Sequence, residues 1–148
     1  MDGTSKTAKI IVGVDGSEES LEALRHAARL AQTSEVALEV LACWEYPRMY
    51  TGFVAAGVEG FAEAAEKVLQ DSVTKTLGAE RPAFVSTKLI HGPAPLTLIN
   101  ASSDASMLVL GRRGHGGFGG LLVGSVSSAC VAHAHCPVLV VHTQRKQN

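Results

Sequence analysis

Lys9-Ile10-Ile11-Val12-Gly13-Val14 is apolar at nearly every position rather than at every second one. A strand with one face in water alternates, so an unbroken run predicts a strand covered on both faces. Further strand-length runs follow at residues 36–43 (VALEVLAC, broken by Glu39), 83–90 (AFVSTKLI, more polar in its middle), 107–110 (MLVL) and 138–141 (VLVV). Each interval between them is long enough for a helix, the connection that parallel strands require. The resulting order, β-α-β-α-β-α-β-α-β, predicts an α/β fold: one doubly wound parallel five-stranded sheet, order 3-2-1-4-5, with helices on both faces and right-handed crossovers.

The helical intervals carry their own signals. Ser17 fits the N-cap of a helix over 18–32, with Glu18 and Glu19 in its first turn and Leu21, Leu24, Ala28 and Ala31 on one face. A second helix over 61–77 is expected to bury Phe61, Ala65, Val68, Leu69 and Val73 and to end at Gly78. Pro95 fits the first position of a third helix reaching about Ser103, and residues 125–134 form the fourth. Glu39 pulls the second strand toward an edge-facing place. Residues 44–60, interrupted by Pro47, Gly52, Gly57 and Gly60, read as a long loop: a flap over a site or a variable surface loop.

At 148 residues the chain is long enough for one full core, so a single domain over 1–148 is expected, with 1–8 and 143–148 as flexible tails. A content of 46% hydrophobic and 18% charged residues excludes a disordered chain, and a formal charge of −1 gives no global pull toward nucleic acid or membrane. The polar start and the absence of any apolar run of spanning length point to no signal peptide, no membrane segment and a cytoplasmic location. Three cysteines, Cys43, Cys130 and Cys136, form no disulfide framework, which suits a reducing compartment.

The chemistry is concentrated in G-R-R-G-H-G-G-F-G-G-L-L-V-G-S, from Gly111 to Ser125, between the fourth strand and the fourth helix. Glycines let backbone N–H groups approach a ligand, and the helix that follows turns its positive end to the same spot, so the natural guest is a phosphate. The alternative is a loop with no ligand. The pattern G-x-x-x-x-G-K-S/T is absent. A G-x-G-x-x-G match at Gly114, Gly116 and Gly119 is accidental, because it sits late in the chain and no acidic residue follows Asp104. After Asp104 the only formal charges are Arg112, Arg113, Arg145 and Lys146. In the expected strand order, Asp15-Gly16-Ser17 after the first strand and the glycine loop after the fourth line one crevice.

The spacing Gly111, Gly114, Gly124, Ser125 resembles the G-x2-G-x9-G-S/T signature of ATP-binding universal stress proteins. Val14-Asp15-Gly16-Ser17 resembles that family's V-D-x-S opening, His91-Gly92-Pro93-Ala94 its G-x-P/A segment, and Leu108 to Gly114 the end of its fourth strand. Cys136-Pro137 and the run after it resemble its closing strand. The resemblance covers nearly the whole chain, apart from 44–60. It implies an ATP-binding stress-response module, usually a homodimer. Asp15 would lie by the ribose and the phosphate-bound metal, Mg²⁺. Adenine would sit against the backbone at Ala42 and Cys43. The phosphates would meet Gly111, Gly114, Gly124, Ser125 and Ser127. The expected contact set also takes in the flanking Val14, Gly92, Leu110, Arg112, Arg113 and Val126. Asp15 can instead cap the first helix, and Ser125 and Ser127 the fourth; the two arginines can instead be solvated.

Cys130, His133, His135 and Cys136 match no standard zinc spacing, and no serine has an evident base partner. His115 is the one acid–base candidate near the loop, without a second catalytic group. A binding module is therefore the first expectation. A slow Mg-dependent ATP hydrolase or adenylate-transferring enzyme is the rival, and a nucleotide-free dimeric scaffold the third. The last strand, Val138–Val141, is short, apolar and expected at a sheet edge, where pairing with a second copy would cover it.

Overall fold

The computed structural model describes residues 8–46, 58–113 and 124–143. The elements run β1 (Lys9–Gly13), α1 (Glu18–Ser34), β2 (Ala37–Trp44), α2 (Val58–Leu77), β3 (Val85–His91), α3 (Ala94–Ala101), a 3-10 turn at Ser102–Asp104, β4 (Met107–Gly111), α4 (Ser125–His133) and β5 (Val138–Val141). All five strands are parallel, in the order β3-β2-β1-β4-β5.

Unbroken apolar strands are explained by two cores, one on each side of the sheet. On one side Ile10, Val12, Leu38, Val40 and Val109 pack under α1 and α2, against Leu24, Ala27, Leu69 and Val73. On the other, Ile11, Leu41, Leu108 and Leu110 pack under α3 and α4, against Leu98 and Cys130. Neighbouring residues of one strand thus feed opposite cores, which a period-two backbone with both faces covered demands.

Several expectations need correction. β2 lies between β1 and β3, so Glu39 does not mark an edge; its carboxylate stands 3.5 Å from Lys9 Nζ, which lets it stay half-buried. α2 begins at Val58, and of the five residues expected in its buried face only Leu69 and Val73 are buried. Phe61, Ala65 and Val68 are half-buried, and Ser72, 2% exposed, joins the buried set by returning its hydroxyl to Val68 O at 2.7 Å. α3 stops at Ala101, with Pro93 as its cap and Pro95 in its second position. Ser102 then turns the chain, donating to Ile99 O at 2.6 Å and accepting from His135 N–H at 2.8 Å. Of the expected tails, residues 1–7 and 144–148 lie outside the described residues, as do 47–57 of the expected loop. Among the described residues no helix is long and apolar enough to cross a membrane.

Candidate functional site

The carboxyl ends of β1, β2 and β4 come level because of their register. Val12 pairs with Val109 and Gly13 with Leu41, and Val14 N–H continues the ladder to Leu41 O at 2.9 Å. One step further on, Asp15 turns the chain into α1. Its Oδ1 accepts from Ser17 N–H at 3.0 Å, and Gly16 takes φ 86°, a conformation in which a side chain is strained. The cap of α1 is Ser17, whose hydroxyl accepts from Ser20 N–H at 3.2 Å. Ser20 Oγ donates to Ser17 O at 2.9 Å and accepts from Asp15 N–H at 3.2 Å. Asp15 is thereby held by the turn while remaining exposed.

The two ends of the glycine loop are pinned to each other. Gly124 N–H donates to Arg112 O at 2.8 Å, and Arg112 N–H donates to Val141 O at 2.9 Å. Ser127, 4% exposed, donates its hydroxyl to Gly111 O at 2.6 Å, so its proton is committed and its remaining capacity is as an acceptor. Gly124 caps α4 with no side-chain bond. The first-turn N–H groups of Ser125, Val126 and Ser127 have no carbonyl within the helix, as at every helix start. Gly111 is required by proximity: a Cβ there would stand 2.7 Å from both C and O of Glu19. Gly114 and His115 lie outside the described residues.

Charge gathers at the same place. Arg112 and Arg113 are half-buried, and neither takes part in an ion pair among the described residues. Their Nε atoms and Glu19 Oε1 are buried without a hydrogen-bond partner. The other Glu19 oxygen, Oε2, accepts from Thr143 Oγ1 at 2.9 Å, which ties the start of the expected C-terminal tail to α1. Two cationic donors beside an uncapped helix start suit an anion, and the exposed Asp15 carboxylate suits a hydroxyl or a hard cation. Among the described residues no group of three His, Cys, Asp or Glu side chains could hold a metal ion, so a cation here would need ligand oxygens as well.

Features absent from the sequence reading flank this arrangement. A cleft of about 210 Å³ lies between Asp15, Gly16 and Leu21 on one side and Asp71, Ser72 and Lys75 of α2 on the other. Among the described residues its lining includes Asp15 and reaches from the end of β1 toward α2. At the ends of β2 and β3, paired Trp44 and His91 stack with ring centroids 4.1 Å apart, and Tyr46 meets both rings edge-on. The only available signal was a tryptophan and a histidine at the ends of two neighbouring runs. Gly92 N–H donates to Trp44 O at 2.8 Å, which places Gly92 just past the end of β3, next to these rings. Ala42 is buried toward the α1/α2 core, whereas Cys43 packs toward the α3/α4 core. Burial pushes the Cys43 thiol up to about 11, against a smaller lowering by its hydrogen bond with Thr97. The Cys130 thiol rises to about 11, first through burial and then through Cys136. All three cysteines are free.

An open, doubly wound parallel sheet in the order β3-β2-β1-β4-β5, with helices on both faces, puts the chain in the α/β class. A model of the universal stress protein family matches residues 6–142, and the chain belongs to that family. A universal stress protein of Mycobacterium bovis is 36% identical over 153 residues, covering 89% of this chain and 47% of its own length. The chain therefore spans about half the length of that relative. A solved universal stress protein in complex with cAMP superposes with a TM-score of 0.71 at 22% identity, over 95% of this chain and 100% of its own. The Archaeoglobus fulgidus universal stress protein in complex with dAMP gives 0.57 at 20% identity, over 92% and 98%.

Proposed function

We infer that this chain is a cytoplasmic ATP-binding module that uses nucleotide occupancy as a stress-response signal rather than as fuel for strong catalysis. The observation that carries the reading is the pinned loop base: an uncapped α4 start beside two arginines whose Nε atoms are buried without a hydrogen-bond partner and which make no ion pair among the described residues, at the level where β1 delivers Asp15. Family membership supports it, as do two solved members with adenine nucleotides. Phosphates would take the N–H groups of Ser125, Val126 and Ser127, with Gly111, Gly114 and Gly124 allowing close approach and Arg112 and Arg113 supplying charge. Asp15 would accept a ribose hydroxyl or hold Mg²⁺, which would offset phosphate charge that the carboxylate repels. Adenine would lie against the backbone around Val14, Ala42 and Cys43.

The test is the melting temperature with and without millimolar Mg-ATP. At a hundredfold Kd, linkage gives about 2.7 kcal/mol, or a rise of roughly 5–10 °C for a chain of this size. Gly124→Asp sets a carboxylate at the α4 start and should abolish the rise, whereas Glu63→Gln, at an exposed α2 position, should keep it. No rise in protein shown free of bound nucleotide would remove ATP from the reading. Sustained ATP turnover, lost in Gly124→Asp, would favour the hydrolase instead.

A further inference from the structure

Among the described residues three buried side-chain atoms lack a hydrogen-bond partner: Glu19 Oε1, Arg112 Nε and Arg113 Nε. They belong to the two segments that meet where β4 ends against the first turn of α1, the contact made close by Gly111. Buried polar atoms are nearly always paired, so exceptions gathered at one place call for a partner. Two of these three are guanidinium donors, and no carboxylate among the described residues neutralises either one.

The two arginines are not equivalent. The backbone of Arg112 is fixed on both sides, by Val141 O and by Gly124 N–H. Arg113 is the one whose side chain passes the start of α4: a Cβ on Gly124 would stand 3.3 Å from Arg113 Cα and 3.8 Å from its Cγ. We propose that Arg113 reads the number of phosphates, so that the site selects a nucleoside polyphosphate over a nucleoside monophosphate or a cyclic phosphate. This rests on the site being a nucleotide site. First-turn N–H groups and the helix dipole suffice for one phosphate, whatever follows it. A second and a third phosphate add negative charge near the carboxylates of Asp15 and Glu19. An unpaired guanidinium offsets that charge with charge-assisted bonds that a single phosphate does not need.

Titration calorimetry with ATP, AMP, cAMP and inorganic tripolyphosphate tests this on the wild type, Arg113→Gln and Arg113→Lys. The wild type should bind ATP at least about tenfold tighter than AMP or cAMP. Arg113→Gln should weaken ATP by roughly 10- to 100-fold, the range for a lost hydrogen bond to a charged group, and AMP by less than about threefold. Arg113→Lys, which keeps the charge but not the fork, should recover part of the ATP loss and guards against a folding defect. Equal wild-type affinities for ATP and AMP, or equal losses in Arg113→Gln, would overturn the proposal. Arg113-dependent binding of tripolyphosphate without binding of any adenine nucleotide would sink the nucleotide reading and leave the polyphosphate preference standing. Binding of neither would overturn both.

Discussion

Cys43 and Cys130 are held as neutral thiols by the α3/α4 core, and this has a consequence at high pH. Burial raises both to about 11, above the ordinary value of 9.0. A thiol raised by folding contributes stability in full below its unfolded value and loses it as pH climbs through its folded value. The urea midpoint should therefore fall between about pH 9 and 11. Replacing both cysteines with alanine should flatten that slope while lowering the midpoint at neutral pH through lost packing. An unchanged slope would show that other groups govern alkaline unfolding. The extent of burial of the thiols was not legible in the sequence. Gly111 was legible as a loop glycine, but its physical reason, backbone contact with Glu19, depends on a partner 92 positions earlier that no local pattern announces.

The helix that opens the site depends on its first turn. Ser17 supplies the side-chain cap of α1, Ser20 buttresses it, and Asp15 bonds the Ser17 N–H. Ser17→Ala should cost about 1 kcal/mol, seen as a lower urea midpoint at constant slope. A cost near zero would mean that the Asp15 turn caps the helix unaided. The strands, the start of α1 and the end of α2 were readable because their signals are local: strand-length apolar runs, a serine before two glutamates, a glycine after Leu77. The start and buried face of α2 were not. Pro and Gly crowd the sequence before it, and Phe61 faces Tyr46 at 5.9 Å rather than the sheet core. The stop of α3 escaped as well: Ser102, where the chain turns, accepts a bond from His135 N–H, which lies beyond both β4 and α4.

For the molecule as a whole, the parallel sheet and both helical layers followed from the alternation of strand and helix runs, and the expected order 3-2-1-4-5 is the one observed. The level of β1 and β4 then brings Asp15 toward the glycine loop. The α2 wall of the cleft and the Trp44–His91 stack came only from tertiary packing. β5 lies at the sheet edge, with Val138, Leu139 and Val140 half-buried. Pairing of two such edges remains the proposal for assembly. Sedimentation at micromolar concentration should give the mass of two chains, and a single-chain mass would end that proposal.

The two cores also divide the molecule chemically. Cys43, Cys130 and Cys136 all pack on the α3/α4 side, and the α1/α2 side has no cysteine among its described core residues. The protein thus carries a built-in reporter for one half of itself. The rate at which a thiol reagent modifies Cys130, the fully buried one of the three, follows breathing of the α3/α4 layer, while breathing confined to α1 and α2 leaves that rate unchanged. Compared with backbone hydrogen exchange, which sees both layers, thiol kinetics can tell whether the sheet sheds its two helical coats together or one at a time.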